Sequence, residues 1–154
     1  MQIYVAGPLF SAAERAFNRA LADAMLKLAP QFSIRLPQEN TAQFVGRPDQ
    51  NRAIYEDCLA GVRGADVVIA VLDGADVDSG TAVEIGYACA NGVPVIGIRT
   101  DVRGSEERGV NLMVAFACRE LVNDPEATPA ALAARVVAFC RSTERATQGA
   151  RSSA

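Results

Sequence analysis

Five short apolar runs recur along the chain, and their spacing is typical of buried strands. They occupy residues 2–6, 32–36, 66–72, 94–98 and 120–122. The run at 66–72 is continuous and β-branched rather than alternating, which predicts a central parallel strand covered on both faces. The first run ends at Gly7 and Pro8, a pair that favours a sharp loop.

The segments between these runs carry apolar residues at helical spacing. Ser11 and Glu14 form a capping box ahead of the first helix, and Thr128 followed by Pro129 begins the last. The spacing predicts further helices over residues 51–63, 81–91 and 111–116. The segment 37–49 is polar and contains two prolines, which predicts a loop.

Strands that alternate with helices predict parallel pairing through right-handed crossovers. We therefore expect an α/β, three-layer, flavodoxin-like fold whose five-stranded parallel sheet has the order 2-1-3-4-5. Ligands of such sheets bind outside the carboxyl ends of the first and third strands, so the loops after Ala6 and Leu72 should be neighbours at a site. We expect one domain over residues 1–141 and a polar, frayed tail over residues 142–154.

Charge and length restrict the possible partners. The 154 residues include 15 basic and 18 acidic side chains, for a net charge of −3 and a pI near 5.0. This balance argues against a nucleic-acid partner. The chain lacks an apolar stretch of roughly 20 residues, so we expect no membrane association and a cytoplasmic location.

The chain contains no histidine. This absence excludes Ser-His-Asp and Cys-His catalysis and zinc sites that need imidazole, and we expect no metal site. The four cysteines form no CxxC pair, which predicts four reduced and mostly buried thiols. Any catalysis must then rest on carboxylates, tyrosines or cysteines.

Four carboxylates lie between residues 73 and 84, directly after the third strand. Asp78 is expected just before the following helix and Glu84 about one turn inside it, where the helix N-terminus favours ionised acids. A positioned glutamate can act as a nucleophile while a neighbouring carboxyl moves protons. Gly80 would let a ligand approach the backbone closely. The alternative is that these acids only cap the helix.

The loop after the first strand has no phosphate-binding fingerprint. It offers the hydroxyl of Tyr4 and the apolar side chains of Leu9 and Phe10. Apolar walls beside carboxylates suit a flat heterocycle carried on a sugar. The alternative is that Tyr4 and Phe10 belong to the core.

Three motifs together resemble the nucleoside 2-deoxyribosyltransferase family. They are Tyr4-Val-Ala-Gly-Pro-Leu-Phe10, Asp78-Ser-Gly-Thr-Ala-Val-Glu84-Ile-Gly-Tyr-Ala88 and Asn111-Leu-Met113. Their order and spacing agree with the family from Met1 to about Phe139. The resemblance implies exchange of the base on a 2′-deoxyribonucleoside, with retention at the anomeric carbon and without a cofactor.

The resemblance also implies roles for individual residues. Glu84 matches the nucleophile that attacks C1′, Asp78 the acid that protonates the departing base, and Tyr4 the tyrosine that orients the nucleophile. The candidate substrate-binding residues are Gly7, Phe10, Asp57, Gly80, Asn111 and Met113. The last two match a segment that the family commonly lends to a neighbouring subunit, which implies a homo-oligomer with shared sites.

One position departs from the family pattern. Many members carry Asp or Asn on the second helix to contact the base, and in that register this chain has Cys58, with Asp57 one residue earlier. One step along a helix rotates a side chain by about 100°. Either Asp57 reaches the base from a shifted register, or base recognition differs.

We therefore expect a deoxyribosyltransferase that acts on 2′-deoxynucleosides and free nucleobases in nucleotide salvage. Retaining transfer at an anomeric carbon needs one carboxylate nucleophile and one acid/base group, which this composition provides. A related alternative is a 2′-deoxynucleoside 5′-monophosphate N-glycoside hydrolase that uses the same nucleophile. A further alternative is a non-catalytic nucleotide-binding module on the same fold.

Overall fold

The computed structural model describes residues 1–103 and 110–152. Its five strands form one sheet in which every neighbouring pair is parallel. The strands are Gln2–Ala6 (β1), Ser33–Arg35 (β2), Val67–Val71 (β3), Val95–Arg99 (β4) and Glu120–Asn123 (β5). Their order, β2-β1-β3-β4-β5, confirms the predicted flavodoxin-like arrangement and puts the carboxyl ends of β1 and β3 side by side.

Helices cover both faces of this sheet. They are Ala12–Leu28 (α1), Pro37–Asn40 (α2), Gln50–Arg63 (α3), Ser79–Ala90 (α4), Leu112–Ala117 (α5) and Pro129–Ser152 (α6), with a 3₁₀-helix over Thr41–Phe44. Helices α1 and α6 pack on one face, and α3, α4 and α5 pack on the other. Among the described helices, none has the length and apolarity that crossing a membrane requires.

Successive residues of β1 point to opposite faces of the sheet, as the pleat requires. Ile3 and Val5 belong to the core that α1 and α6 cover, whereas Tyr4 and Ala6 belong to the core that α3, α4 and α5 cover. The strand therefore directs one tyrosine toward the helix that follows β3.

The predicted loop over residues 37–49 is largely helical instead. Pro37 occupies the first turn of α2, and the Leu36 carbonyl accepts hydrogen bonds from the N–H groups of Glu39 and Asn40. The loop prediction is wrong for residues 37–44, because proline disfavours only the interior of a helix. At the first helical position its fixed φ and missing N–H are compatible with the helix.

The fraying predicted from residue 142 is also wrong within the described residues, because α6 continues to Ser152. Thr143 is buried, and the hydroxyls of Ser142 and Thr143 both donate to the Phe139 carbonyl. The burial of Thr143 shows that α6 still packs on the protein beyond residue 142, and such packing stabilises a helix whose sequence is polar.

The four cysteines are free thiols, but the prediction that most are buried is wrong. Cys140 is buried, Cys58 and Cys118 are half-buried, and Cys89 is exposed. Cys58 lies on α3 and Cys89 on α4, two of the helices that cover the sheet.

A buried arginine anchors the loop between β3 and α4. Arg99, at the end of β4, is only 1% exposed, and its guanidinium donates to the carbonyls of Leu72 and Gly74. Asp73 adds a second connection by accepting hydrogen bonds from the backbone N–H and the hydroxyl of Thr100. The start of the loop that leads to α4 is therefore fixed to the end of β4.

Replacing this arginine tests the anchor. Arg99→Met should lower the free energy of unfolding by about 2–4 kcal/mol, because buried carbonyls lose their donors. Urea denaturation followed by circular dichroism measures the change. Arg119→Met changes an exposed arginine and should stay within about 0.5 kcal/mol of wild type. Equal losses in the two variants would contradict the anchoring role.

Candidate active site

A hydrogen bond between two distant parts of the chain defines the site. The hydroxyl of Tyr4, on β1, donates to Glu84 Oε1, on α4, at 2.6 Å. The phenol is fully buried and the carboxylate is half-buried. The bond joins residues 80 positions apart and fixes one oxygen of the glutamate from inside the sheet.

The surroundings of Glu84 raise its pKa to about 7. Burial is the main cause, and the negative charge of Asp78 acts in the same direction, while hydrogen bonds from Tyr4 and Cys58 oppose it. Burial and the charge of Glu84 raise the pKa of Tyr4 far above its usual range. Tyr4 therefore stays protonated and donates, and Glu84 gains or loses its proton near neutral pH.

Asp78 is the N-cap of α4. Its Oδ2 accepts hydrogen bonds from the backbone N–H of Thr81 at 2.9 Å and from the Thr81 hydroxyl at 3.0 Å. A Cβ at Gly80 would lie 3.2 Å from the same oxygen, so glycine leaves room for the cap. Asp78 thus caps the helix and also lies close enough to Glu84 to influence its pKa.

The loops after β1 and β3 are neighbours, as the strand order predicts. Pro8 and Asp73 line one cavity of about 400 Å³ at the carboxyl edge of the sheet. A Cβ at Gly7 would lie 3.0 Å from Val71 Cβ, so glycine permits the close approach of the two strands' ends. Phe10 is 76% exposed and is not a core residue, whereas Tyr4 is in the core and also donates to Glu84.

The structure separates the two candidates on the second helix. Asp57 forms an ion pair with Arg35 of β2, with 2.5 Å between Oδ1 and the guanidinium nitrogen. The thiol of Cys58 interacts with Tyr4 and Glu84 instead. The sequence alone left this choice open, and Arg35 is a partner that no local pattern indicated.

Among the described residues, no hydrogen bond joins Asn111 or Met113 to Glu84. Asn111 caps α5 by accepting from the N–H of Met113 at 2.9 Å, and Met113 is 73% exposed. Both line a cavity of about 620 Å³ between α4 and α5. Within the described part of one chain, the structure brings together Tyr4, Asp78 and Glu84 and leaves these two residues on an outer surface.

The fold and this pair of acids define a doubly wound α/β protein with a carboxylate site beside the switch point of its sheet. The family model for nucleoside 2-deoxyribosyltransferases matches residues 3–113. The chain belongs to the nucleoside 2-deoxyribosyltransferase family. No curated protein sequence matches it significantly.

Solved structures share the fold. A conserved protein from Enterococcus faecalis V583 is 30% identical, with 82% of this chain and 92% of that chain covered and a TM-score of 0.70. A 2-deoxyribosyltransferase from Bacillus psychrosaccharolyticus is 20% identical, with 80% and 87% covered and a TM-score of 0.64. A CMP N-glycosidase from Clostridium botulinum is 16% identical, with 88% and 98% covered and a TM-score of 0.56.

The raised pKa of Glu84 has a consequence for stability. The carboxyl has a pKa of about 7 in the folded protein and an ordinary value of 4.5. Folding with the charged form is therefore unfavourable above pH 7, and this penalty disappears as the pH falls toward 4.5. Glu84→Gln should raise the free energy of unfolding by about 1–3 kcal/mol at pH 8 and by much less at pH 5.

Urea denaturation at the two pH values measures this effect, with Glu126→Gln as the control at an exposed position. The control should show the same stability as wild type at both pH values. Either of two results would show that the protein does not destabilise the charged form of Glu84. One is a stability gain for E84Q that does not depend on pH, and the other is a loss of stability at pH 8.

Proposed function

We propose that the protein transfers 2-deoxyribosyl groups between nucleobases by a retaining double displacement through a covalent deoxyribosyl-glutamate at Glu84. The hydrogen bond from Tyr4 to Glu84 carries the proposal, because it places an oriented carboxylate of raised pKa beside a second acid. Membership of the deoxyribosyltransferase family supports the class of reaction. We further propose a cytoplasmic salvage enzyme that needs no cofactor.

In the first step the Glu84 carboxylate attacks C1′ of the nucleoside. The C1′–N bond breaks with its electron pair going to the base, which takes up a proton that Asp78 relays from solvent. In the second step an incoming base attacks C1′, Asp78 accepts its proton, and the bond to Glu84 breaks. Tyr4 holds Glu84 in both steps and cannot itself ionise at neutral pH.

The nucleotide hydrolase alternative needs groups that bind a 5′-phosphate. The two residues of the first loop region that could do so already have intramolecular partners. The Ser11 hydroxyl accepts from the N–H of Glu14, and the Arg15 guanidinium donates to the carbonyls of Leu9 and Phe10. These contacts favour a nucleoside substrate, although the fold is shared with a CMP N-glycosidase.

A non-catalytic binding module would gain nothing from an acid whose charged form is destabilised by burial. A half-buried carboxyl that interacts with a second carboxylate costs free energy without a compensating reaction. This cost favours catalysis over binding alone.

Base exchange is the direct test. Incubation with deoxyinosine and free adenine should yield deoxyadenosine and hypoxanthine, at a rate that falls as the pH drops below about 7, where Glu84 becomes protonated. E84Q should lose at least about 10³-fold in rate while remaining folded, because a neutral amide is a poor nucleophile. Chromatographic separation of bases and nucleosides follows the reaction.

The same assay separates the alternatives. Deoxyinosine 5′-monophosphate as the preferred donor, with hypoxanthine released but no exchange, would indicate the hydrolase. Trapping with a 2-fluoro-2-deoxy nucleoside should add one sugar mass to the peptide that contains Glu84. A label on another residue would overturn the assignment of the nucleophile, and ligand binding without any release of base would indicate the binding module.

We also propose that Asn111 and Met113 complete the site of a neighbouring subunit in a homo-oligomer. Both are exposed, and they lie at the start of the short helix α5, which also carries Phe116, 88% exposed. Large exposed apolar side chains on one short helix are typical of a surface that a partner covers.

Complementation tests the shared site. E84Q and Asn111→Ala should each be inactive alone. A doubly tagged heterodimer of the two should recover about half of the wild-type activity, since one of its two sites has both intact residues. A monomer in sedimentation analysis, or an inactive heterodimer, would contradict the proposal.

A further inference from the structure

Helix α3 packs directly against the ring of Tyr4. A Cβ at Gly61 would lie 2.8 Å from Tyr4 Cε2, so the helix backbone is as close to the ring as a glycine allows. Cys58 is three residues earlier and therefore lies on the same face of the helix, about one turn toward its N-terminus. The Cys58 side chain therefore lies on the face of α3 that packs against Tyr4.

The thiol interacts with both members of that hydrogen bond, the Tyr4 hydroxyl and the Glu84 carboxylate. The neighbouring Asp57 is held by Arg35 at 2.5 Å. Helix α3 therefore presents to the site the thiol of Cys58, a neutral group that can donate a hydrogen bond. The carboxylate of Asp57 is paired with Arg35 instead.

We propose that Cys58 is a positioning residue whose thiol donates to the Glu84 carboxylate, so that donors from β1 and α3 together fix the reactive group. The inference rests on the proposed function for the role of Glu84 as nucleophile. The arrangement itself does not require any particular substrate.

The protonation states suit this role. Burial is the main reason that the pKa of Cys58 is raised, and the charges of Glu84 and Asp57 add to it, whereas Arg35 and Tyr4 oppose it. The thiol therefore keeps its proton at neutral pH and can donate it. Around Glu84, Tyr4 and Cys58 favour the ionised form and Asp78 disfavours it. Removing the thiol leaves Tyr4 alone to oppose burial and Asp78.

Titration of the Glu84 carboxyl by ¹³C NMR tests the proposal without relying on turnover. In protein labelled with [¹³C]glutamate, the E84Q variant identifies the signal. Cys58→Ala should move the titration midpoint upward by about half a pH unit, whereas Cys58→Ser, which retains a donor, should stay near the wild-type midpoint. Cys89→Ala removes an exposed thiol and is the matched control.

The pH profile of base exchange should follow the titration. With C58A the acid limb of kcat/KM should move upward by the same amount, which lowers kcat/KM at pH 6 about threefold. C58S should restore the limb. A wild-type midpoint in C58A, or a C58S midpoint that matches a shifted C58A, would overturn the role of the thiol.

Two further arms keep the outcomes distinguishable. If C58A does not fold, capping of Cys58 with methyl methanethiosulfonate in folded C89A/C118A protein, whose remaining Cys140 is buried, removes the same proton and should produce the same upward movement. An unchanged midpoint after capping would refute the proposal. Wild-type protein that titrates as expected but exchanges no base would overturn the proposed function and leave the hydrogen bond from Cys58 intact.

Discussion

The hydrogen bond from Tyr4 to Glu84 is the interaction on which the site depends. For the nucleophile that we propose at Glu84, it resolves a conflict, since partial burial makes a carboxylate more reactive but favours its neutral form. The Tyr4 hydroxyl lies inside the sheet and does not ionise near neutral pH. It therefore stabilises the negative charge of Glu84 and adds no charge of its own. The pKa of about 7 is the balance of these opposing effects.

The remainder of the fold keeps the two ends of that bond in place. The pleat of β1 directs Tyr4 away from Ile3 and Val5 and toward α4. At the other end, Arg99 holds the loop that leads to α4 through backbone carbonyls, and Asp78 starts the helix. Buried polar contacts, rather than apolar packing alone, thus determine where Asp78 lies relative to Glu84.

The strand order and the acid pair could be predicted because they follow from local patterns. Alternating strands and helices imply the parallel sheet, and the motif from Asp78 to Glu84 is continuous in sequence. The ion pair between Asp57 and Arg35 could not be predicted, since it joins residues 22 positions apart through the packing of α3 on β2. The continuation of α6 past residue 142 could not be predicted either, since the polar composition there conceals the burial of Thr143.

Many proteins rely on imidazole to change charge under physiological conditions. This chain has none, yet it holds one glutamate whose proton is exchanged in the same range. The site around Glu84 therefore becomes more negative as the surroundings become alkaline and closer to neutral as they acidify. The charge that Glu84 presents thus varies with pH across the neutral range, which is the behaviour that imidazole gives to other proteins.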